Sequence, residues 1–367
     1  MRIMPSVLDR QFYMHQQEIE ERAIETLRSG WYVLGKEVKA FEDEFAAYTG
    51  SKHCVGLASG LDALWIAFRL LGVGAGDEVI VQGNAYIACV MGITINGATP
   101  VFVEPDIYNN IDVSAVESKI TDKTKAVLVV HLYGQASGMD KISEICKRRK
   151  LYLVEDCAQS HGARFDGKMT GTFGDVGCFS FYPSKNLGAF GDAGAVVTDS
   201  AELAEKFRVF RNYGSEKRYH NMVVGTNSRL DEIHAGMLRV KLKYLDGYNC
   251  ERQDICNRYL TEIKNKNIEL PLVREGATTV WHQFVIRTPL RDRLQKHLLD
   301  RDVHTLIHYP IPPHLSEAYA HLDFKKGSLP ITEQYANEVL SLPLYNGMTS
   351  EEIDYVIESV NSFGGGI

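Results

Sequence analysis

Apolar residues recur along this chain in two alternating rhythms. Short runs dense in Val, Ile and Leu have the pattern of buried strands. Between them lie stretches whose apolar residues return every third or fourth position, the period of a helix. The first helical stretch, 16–29, carries Ile19, Ala23, Ile24 and Leu27 and ends at Gly30. The second, 36–48, puts Val38, Phe41, Phe45 and Tyr48 on one face and stops at Gly50. From there the chain predicts strand 53–57, helix 61–71, strand 78–82, helix 86–96, strand 99–103 and a helix near 113–119. Strand 126–131, helix 139–149 and strand 151–155 follow, then strands 176–181 and 194–198, which can extend the same sheet, and helix 201–211. This βαβ alternation predicts the α/β class: a mostly parallel sheet covered by helices on both faces, with ligands at the carboxyl ends of its strands.

Near 229–264 the helical period runs unusually long, as in a helix that bridges two domains. Strand 280–287, helix 290–301, strand 303–307 and helix 350–362 then read as a smaller α+β unit. The expected division is a large domain, 1–247, and a small one, 248–367, which suits a chain of 367 residues.

Composition narrows the class of function. A net charge of −7 with no basic block argues against nucleic acid or an anionic membrane as partner. The seven cysteines are scattered without a C-x-x-C pair, as in a reduced, cytoplasmic protein. No apolar run reaches membrane-spanning length, and the first residues lack an apolar signal core. The tail Gly364-Gly365-Gly366-Ile367 reads as disordered.

Candidate chemistry centres on Lys185, which follows the aromatic run Phe179-Ser180-Phe181-Tyr182-Pro183-Ser184 and precedes a glycine-rich one. A lysine there is either a loop residue or an amine that condenses with a carbonyl cofactor. Three clusters bear on the choice. Ser59-Gly60-Leu61, at a strand end and helix start, offers free backbone N–H groups and a positive dipole end to a phosphate, although Ser-Gly there is also a helix N-cap. Asp156 ends an apolar strand where a parallel sheet keeps its ligands. A carboxylate buried there needs a cation, such as a protonated pyridine nitrogen, unless it too is an N-cap. Tyr86 opens a helix and can stack on a flat ring or sit in the core. Together these supply a phosphate cup, a stacking ring, an acid for a ring nitrogen and an amine for an aldehyde, the four needs of pyridoxal 5′-phosphate (PLP). The run Gly72-Val73-Gly74-Ala75-Gly76-Asp77 is no dinucleotide fingerprint, because it follows a helix and precedes a strand. His308, His314 and His321 have spacings that suit no single metal site, so no metal is expected. The aromatic loop at Trp31 and Tyr32 reads as core packing or a subunit contact, with substrate contact as the alternative.

With these residues in view, the chain resembles the nucleotide-sugar aminotransferases (DegT/StrS-like) of the fold-type I, aspartate aminotransferase-like PLP enzymes. The match rests on Ala58-Ser59-Gly60-Leu61-Asp62-Ala63-Leu64, Val154-Glu155-Asp156-Cys157-Ala158-Gln159-Ser160-His161-Gly162, Phe179 to Gly188, Gly225-Thr226-Asn227-Ser228-Arg229-Leu230-Asp231 and His308-Tyr309-Pro310. The resemblance implies a seven-stranded-type sheet, Lys185 as the Schiff-base lysine and Asp156 at the pyridine nitrogen. It places Gln159 near the cofactor's 3-hydroxyl and Ser180 on its phosphate. Asn227 would reach the phosphate in a neighbouring subunit, implying a homodimer with shared active sites. Where many relatives have threonine this chain has Leu61, so the phosphate loses a hydroxyl donor there.

The resemblance also implies glutamate as amino donor, with 2-oxoglutarate released, and an acceptor that is a nucleotide-linked keto sugar. Tyr182, His308, Tyr309 and His314 would lie near that sugar, with a structural loop shaped by Pro310, Pro312 and Pro313 as the alternative for the last three. Phe181 to Gly188, followed by Gly191-Asp192, is similar to the branch that aminates carbon 3 of a dTDP-3-keto-6-deoxyhexose, a route to amino sugars of lipopolysaccharide or S-layer glycans. The alternatives are a carbon-4 aminotransferase and a relative that binds PLP or a sugar nucleotide as a regulator without transaminating.

Overall fold

The computed structural model describes residues 1–217 and 219–364; residues 365–367 of the glycine tail lie outside the described residues. Seven strands form one sheet: β1 (His53–Leu57), β2 (Glu78–Gln82), β3 (Thr99–Val103), β4 (Thr124–Val130), β5 (Tyr152–Asp156), β6 (Val176–Ser180) and β7 (Gly194–Thr198). Their order is β1-β7-β6-β5-β4-β2-β3. Neighbours from β6 to β3 pair in parallel, and β7 runs antiparallel to both β1 and β6. The α/β expectation is met, and strands 176–181 and 194–198 do join the sheet.

The sheet is buried on both faces because β4 is apolar at successive positions. Ala126, Leu128 and Val130 pack with Ala63, Ala67 and Val90 on one side, whereas Val127 and Val129 pack with Met139 and Ile142 on the other. In register, Val130 stands opposite Asp156 and Asp156 opposite Cys178. The end of β5 therefore lies level with its neighbours, and its carboxylate reaches the edge where the strands stop.

The helices Gln16–Arg28, Lys36–Thr49, Gly60–Leu70 and Met139–Arg149 fall within two residues of their expected bounds. Helix Lys36–Thr49 starts on an acceptor from far along the chain. The buried Glu232 carboxylate takes the N–H groups of Gly35, Glu37 and Val38, at 2.6–2.9 Å.

Two expectations fail. The long helix at 229–264 is two helices, Glu232–Leu242 and Leu245–Glu262. Tyr244 between them donates its N–H to Lys241 O, a tightened turn, and its ring stacks on His15 at 3.5 Å. Leu242 and Leu245 keep the apolar phase across that turn, so periodicity reads it as continuous. Segment 303–307 forms no strand and makes only single bridges, Val303 to Ile3 and Leu306 to Ser341, because it changes partners midway. The strand expected at 280–287 is shorter, β8 (Phe284–Arg287), since Trp281 turns out at φ 45°. β8 pairs antiparallel with β9 (Val339–Leu342), which periodicity did not reveal. Around this pair Tyr259, Leu294, Leu298, Val356 and Val360 build a second core, and Ile3 from the start of the chain is buried in it.

Candidate active site

The carboxyl ends of β1, β5 and β6 open on a cavity of about 520 Å³. At one end β1 leads through Ser59 into helix Gly60–Leu70. Ser59 Oγ accepts the Asp62 N–H at 3.1 Å, so it is an N-cap as well as a cup residue. Asp62 and Ala63 spend their N–H groups on Ser59, which leaves those of Gly60 and Leu61 without partners among the described residues. The cup exists because two glycines let three strands converge. A Cβ on Gly60 would stand 2.5 Å from Ser180 Cβ, and one on Gly194 would stand 2.4 Å from the Ser59 carbonyl.

Asp156 lies in the wall beyond, only 6% exposed. Its Oδ1 accepts the Ala158 N–H at 3.0 Å and its Oδ2 the Cys89 thiol at 3.0 Å. The first bond is the cap expected of a carboxylate at a strand end. The second is to a group whose pKa burial, helped by the Asp156 charge, raises well above its ordinary value. No lysine, arginine or histidine forms an ion pair with Asp156 among the described residues. A buried carboxylate so placed demands a cation from whatever fills the cavity.

Lys185 faces the same space and makes no side-chain hydrogen bond among the described residues; only its backbone N–H is engaged, with Tyr182 O at 2.8 Å. Burial lowers its pKa, while Asp156 and Cys89 oppose that. The amine is thus biased toward its neutral, nucleophilic form.

The remaining wall is polar and aromatic. Gln159 Oε1 accepts the Tyr133 N–H at 2.6 Å, and its Nε2 donates to Tyr309 Oη at 3.2 Å. The Tyr86 and Tyr309 rings lie 5.0 Å apart, tilted by 34°. His308 bonds to Ser341 Oγ through Nδ1 at 2.8 Å and to Gln283 through Nε2 at 3.0 Å. Burial and the Lys185 charge push its pKa down to about 4.

The structure therefore brings together Ser59, Gly60, Leu61, Tyr86, Asp156, Gln159, Ser180, Tyr182, Lys185, His308 and Tyr309. Four expected residues lie elsewhere. Asn227 is exposed on the surface and does not line this cavity. Trp31 and Tyr32 are 65% and 54% exposed, which corrects the core-packing expectation. His314 is buried away from the cavity, bonded to Glu333 at 3.1 Å and flanked by Phe102 and Phe324. Arg211 is a structural cation bound to Glu42 and to Gly56 O, while Arg229 meets Asn212 and the face of Tyr213. Cys89, His282 and Gln283 line the cavity although sequence reasoning missed them. The signal was present for the latter pair, two polar residues interrupting the apolar run 280–287. One cluster with metal-ligand chemistry, His131, Glu155 and Cys157, is buried beside β5. Its carboxylate already accepts the N–H groups of Gly171, Phe173 and Gly174 and a bond from His131.

This donor set fits PLP: free N–H groups for its phosphate, an unpaired carboxylate for its ring nitrogen and an unpaired amine for its aldehyde. Comparison with known proteins agrees. The sequence profile of the DegT/DnrJ/EryC1/StrS aminotransferase family matches residues 14–361. The chain is 51% identical to the dTDP-3-amino-3,6-dideoxy-alpha-D-galactopyranose transaminase of Aneurinibacillus thermoaerophilus, over 95% of this chain and 96% of that one. Its structure superposes on that of DesV of S. venezuelae, solved with a ketimine intermediate, with a TM-score of 0.96 at 45% identity, covering 98% of each chain. NtdA of Bacillus subtilis, solved with bound PMP, gives 0.89 at 33% identity, covering 98% of this chain and 85% of that one. The chain belongs to the DegT/DnrJ/EryC1/StrS aminotransferase family, whose members are PLP-dependent.

Proposed function

We propose that this enzyme moves an amino group from glutamate to carbon 3 of a dTDP-linked 3-keto-6-deoxyhexose, giving a dTDP-3-amino-3,6-dideoxyhexose. The observation that carries the reading is the pair Asp156 and Lys185. Both line one cavity and neither has an ion-pair partner among the described residues. The choice of carbon 3 draws its support from the transaminase that shares 51% of its residues with this chain.

When bound, PLP supplies an aldehyde to carry the amino group and a protonated ring that accepts an electron pair. The residues do the rest. Gly60 and Leu61 N–H groups, with the Ser59 and Ser180 hydroxyls, hold the phosphate. Asp156 keeps the ring nitrogen protonated. The Lys185 amine would take the proton from the donor's α-carbon and return one to the cofactor's C4′. A positioned base of this kind is worth roughly 10²–10⁴ in rate. Because the same amine serves both half-reactions, kinetics are ping-pong. Tyr182, His308 and Tyr309 face the sugar.

Asn227, Trp31 and Tyr32, all exposed here, are assigned to a second copy: Asn227 to its cofactor phosphate and the two aromatics to the contact itself. The working unit is then a cytoplasmic homodimer, each chain divided near residue 247 into a cofactor-binding and a small domain. The test is to incubate PLP-loaded enzyme with glutamate and the gluco and galacto epimers of the 3-keto sugar. NMR of the product should place nitrogen on carbon 3 of one epimer; nitrogen on carbon 4, or no amination, would refute the reading.

A further inference from the structure

Among the described residues two guanidinium groups are buried, Arg211 and Arg252. Arg211 pairs with Glu42, as the half-buried Arg10, Arg239 and Arg274 pair with Glu352, Glu37 and Asp106. Arg252 differs. It is buried in helix Leu245–Glu262 and forms no ion pair among the described residues. Its Nε donates to Asn346 Oδ1 at 3.1 Å, and its Nη1 donates to the carbonyls of Trp281 and His282 at 3.1 and 3.3 Å. Nη2 has no partner among the described residues. Burial lowers the group's pKa to about 10, which still leaves it charged at neutral pH. Glu251 reaches it only through Asn346, whose amide donates to the Glu251 carboxylate; a buried charge with no carboxylate in direct contact is expensive unless something arrives to pair with it.

What can arrive is set by the space Arg252 lines, a chamber of about 90 Å³. Ser184, His282, Gln283 and His308 belong to its wall and also to that of the Lys185 cavity, so the two spaces adjoin. The imidazoles bring no competing positive charge. Asn186 donates its amide N–H groups to Asn249 Oδ1 and Val280 O, so its Oδ1 must accept from His282 Nδ1. His282 then presents a bare Nε2, and burial holds its pKa well below the ordinary value. A small anionic group entering beside Lys185 therefore finds one formal charge in the chamber wall, with two N–H bonds to give.

We infer that this chamber seats a carboxylate of the amino donor, held by Arg252 Nη2. The inference rests on the aminotransferase reading and adds to it a reason for a dicarboxylic donor. The donor's amine would meet the aldehyde beside Lys185 and its acid group Arg252, while the keto sugar, which faces Tyr182, His308 and Tyr309, has no carboxylate to place on Arg252. The rival explanation is that Arg252 merely staples residues 281–282 to the helix.

Two variants separate these. Arg252→Gln keeps an amide that can still bond the carbonyls of residues 281–282. Ser6→Phe narrows the chamber from an exposed loop position that does not line the Lys185 cavity. PLP-loaded proteins are titrated with L-glutamate by absorbance and with glutarate, an amine-free probe, by calorimetry. The pyridoxamine phosphate-loaded proteins are titrated with the keto sugar. Both variants should raise the half-saturating glutamate and glutarate concentrations roughly ten- to hundredfold, the worth of a charge-assisted hydrogen bond, and move that of the keto sugar less than about twofold. Unchanged glutamate midpoints, or equal shifts for sugar and donor, would overturn the assignment. If Arg252→Gln does not fold, Ser6→Phe decides alone. If the wild-type protein converts neither substrate yet binds glutarate in an Arg252-dependent way, the chamber stands and the aminotransferase reading falls.

Discussion

Replacing Asp156 by asparagine should separate the cofactor's needs from those of the fold. The native carboxylate is buried, holds two hydrogen bonds, from Ala158 N–H and Cys89 Sγ, and has no cationic partner. An asparagine in the same rotamer keeps its oxygen on Ala158 and turns its NH₂ toward Cys89, whose sulfur is a weak acceptor. What disappears is the charge, which in the apo-protein faces only the Lys185 amine, whose own charged form burial disfavours. The apo-protein should therefore be no less stable than wild type, and up to about 2 kcal/mol more stable if the relieved desolvation dominates. The loaded protein behaves oppositely. A bond between carboxylate and pyridinium contributes about 1.5–3 kcal/mol, so PLP affinity should fall roughly ten- to hundredfold. Urea unfolding of apo-protein and equilibrium titration with PLP read the two effects independently. A clear loss of apo stability, or an unchanged PLP affinity, would show that Asp156 is a structural cap and not the partner of the ring.

Other substitutions test the scaffold. Gly60→Ala should destabilise the fold by about 1–3 kcal/mol in urea unfolding, because the new methyl falls 2.5 Å from Ser180 Cβ; an unaffected midpoint would mean that β6 yields freely. Glu232→Ala removes the acceptor of three N–H groups at the start of helix Lys36–Thr49 and should cost about 1–3 kcal/mol, seen as a lower melting temperature. Acid should weaken the fold through its buried histidines. His161 and His308 are held near pKa values of about 3 and about 4, mainly by burial, against an ordinary 6.5. Their folded values are depressed, so the unfolded chain binds more protons below pH 6.5. Stability is full above that pH and is lost progressively as the pH falls toward 4. Urea midpoints at pH 7.5 and 5.5 should differ in that direction, and His161→Phe, packed among Phe179 and Phe181, should flatten the dependence.

The sheet was legible because each of its strands is short, apolar and followed by a turn or a helix, and because Asp156 and Ser59 stand at strand ends in the sequence itself. Order across the sheet was not, since the antiparallel insertion of β7 between β1 and β6 depends on Gly60 and Gly194 letting backbones approach, a tertiary fact. The break at Tyr244 was hidden by unbroken apolar phase. β9 follows helix Pro330–Glu338 directly and was masked by it. Within the site, motif residues on strand ends and their loops were found, whereas Cys89, Gln283 and Arg252 were not. Each of those gains its meaning only from what stands opposite it: a thiol beside Asp156, an amide on His308, a guanidinium lacking its carboxylate.

Among the described residues Lys241 is buried and Lys185 is half-buried, facing the cavity. Lys241 donates to Gly188 O, lies over the Phe190 ring, and has its pKa lowered to about 7 by burial and the Arg252 charge, yet it does not line the cavity. Lys185 lines it, and its amine makes no hydrogen bond or ion pair among the described residues. Reduction of the PLP-loaded protein with borohydride, followed by peptide mass spectrometry, chooses between them. A phosphopyridoxyl group is expected on Lys185 alone; a label on Lys241, on any other lysine, or on none would contradict the assignment of Lys185.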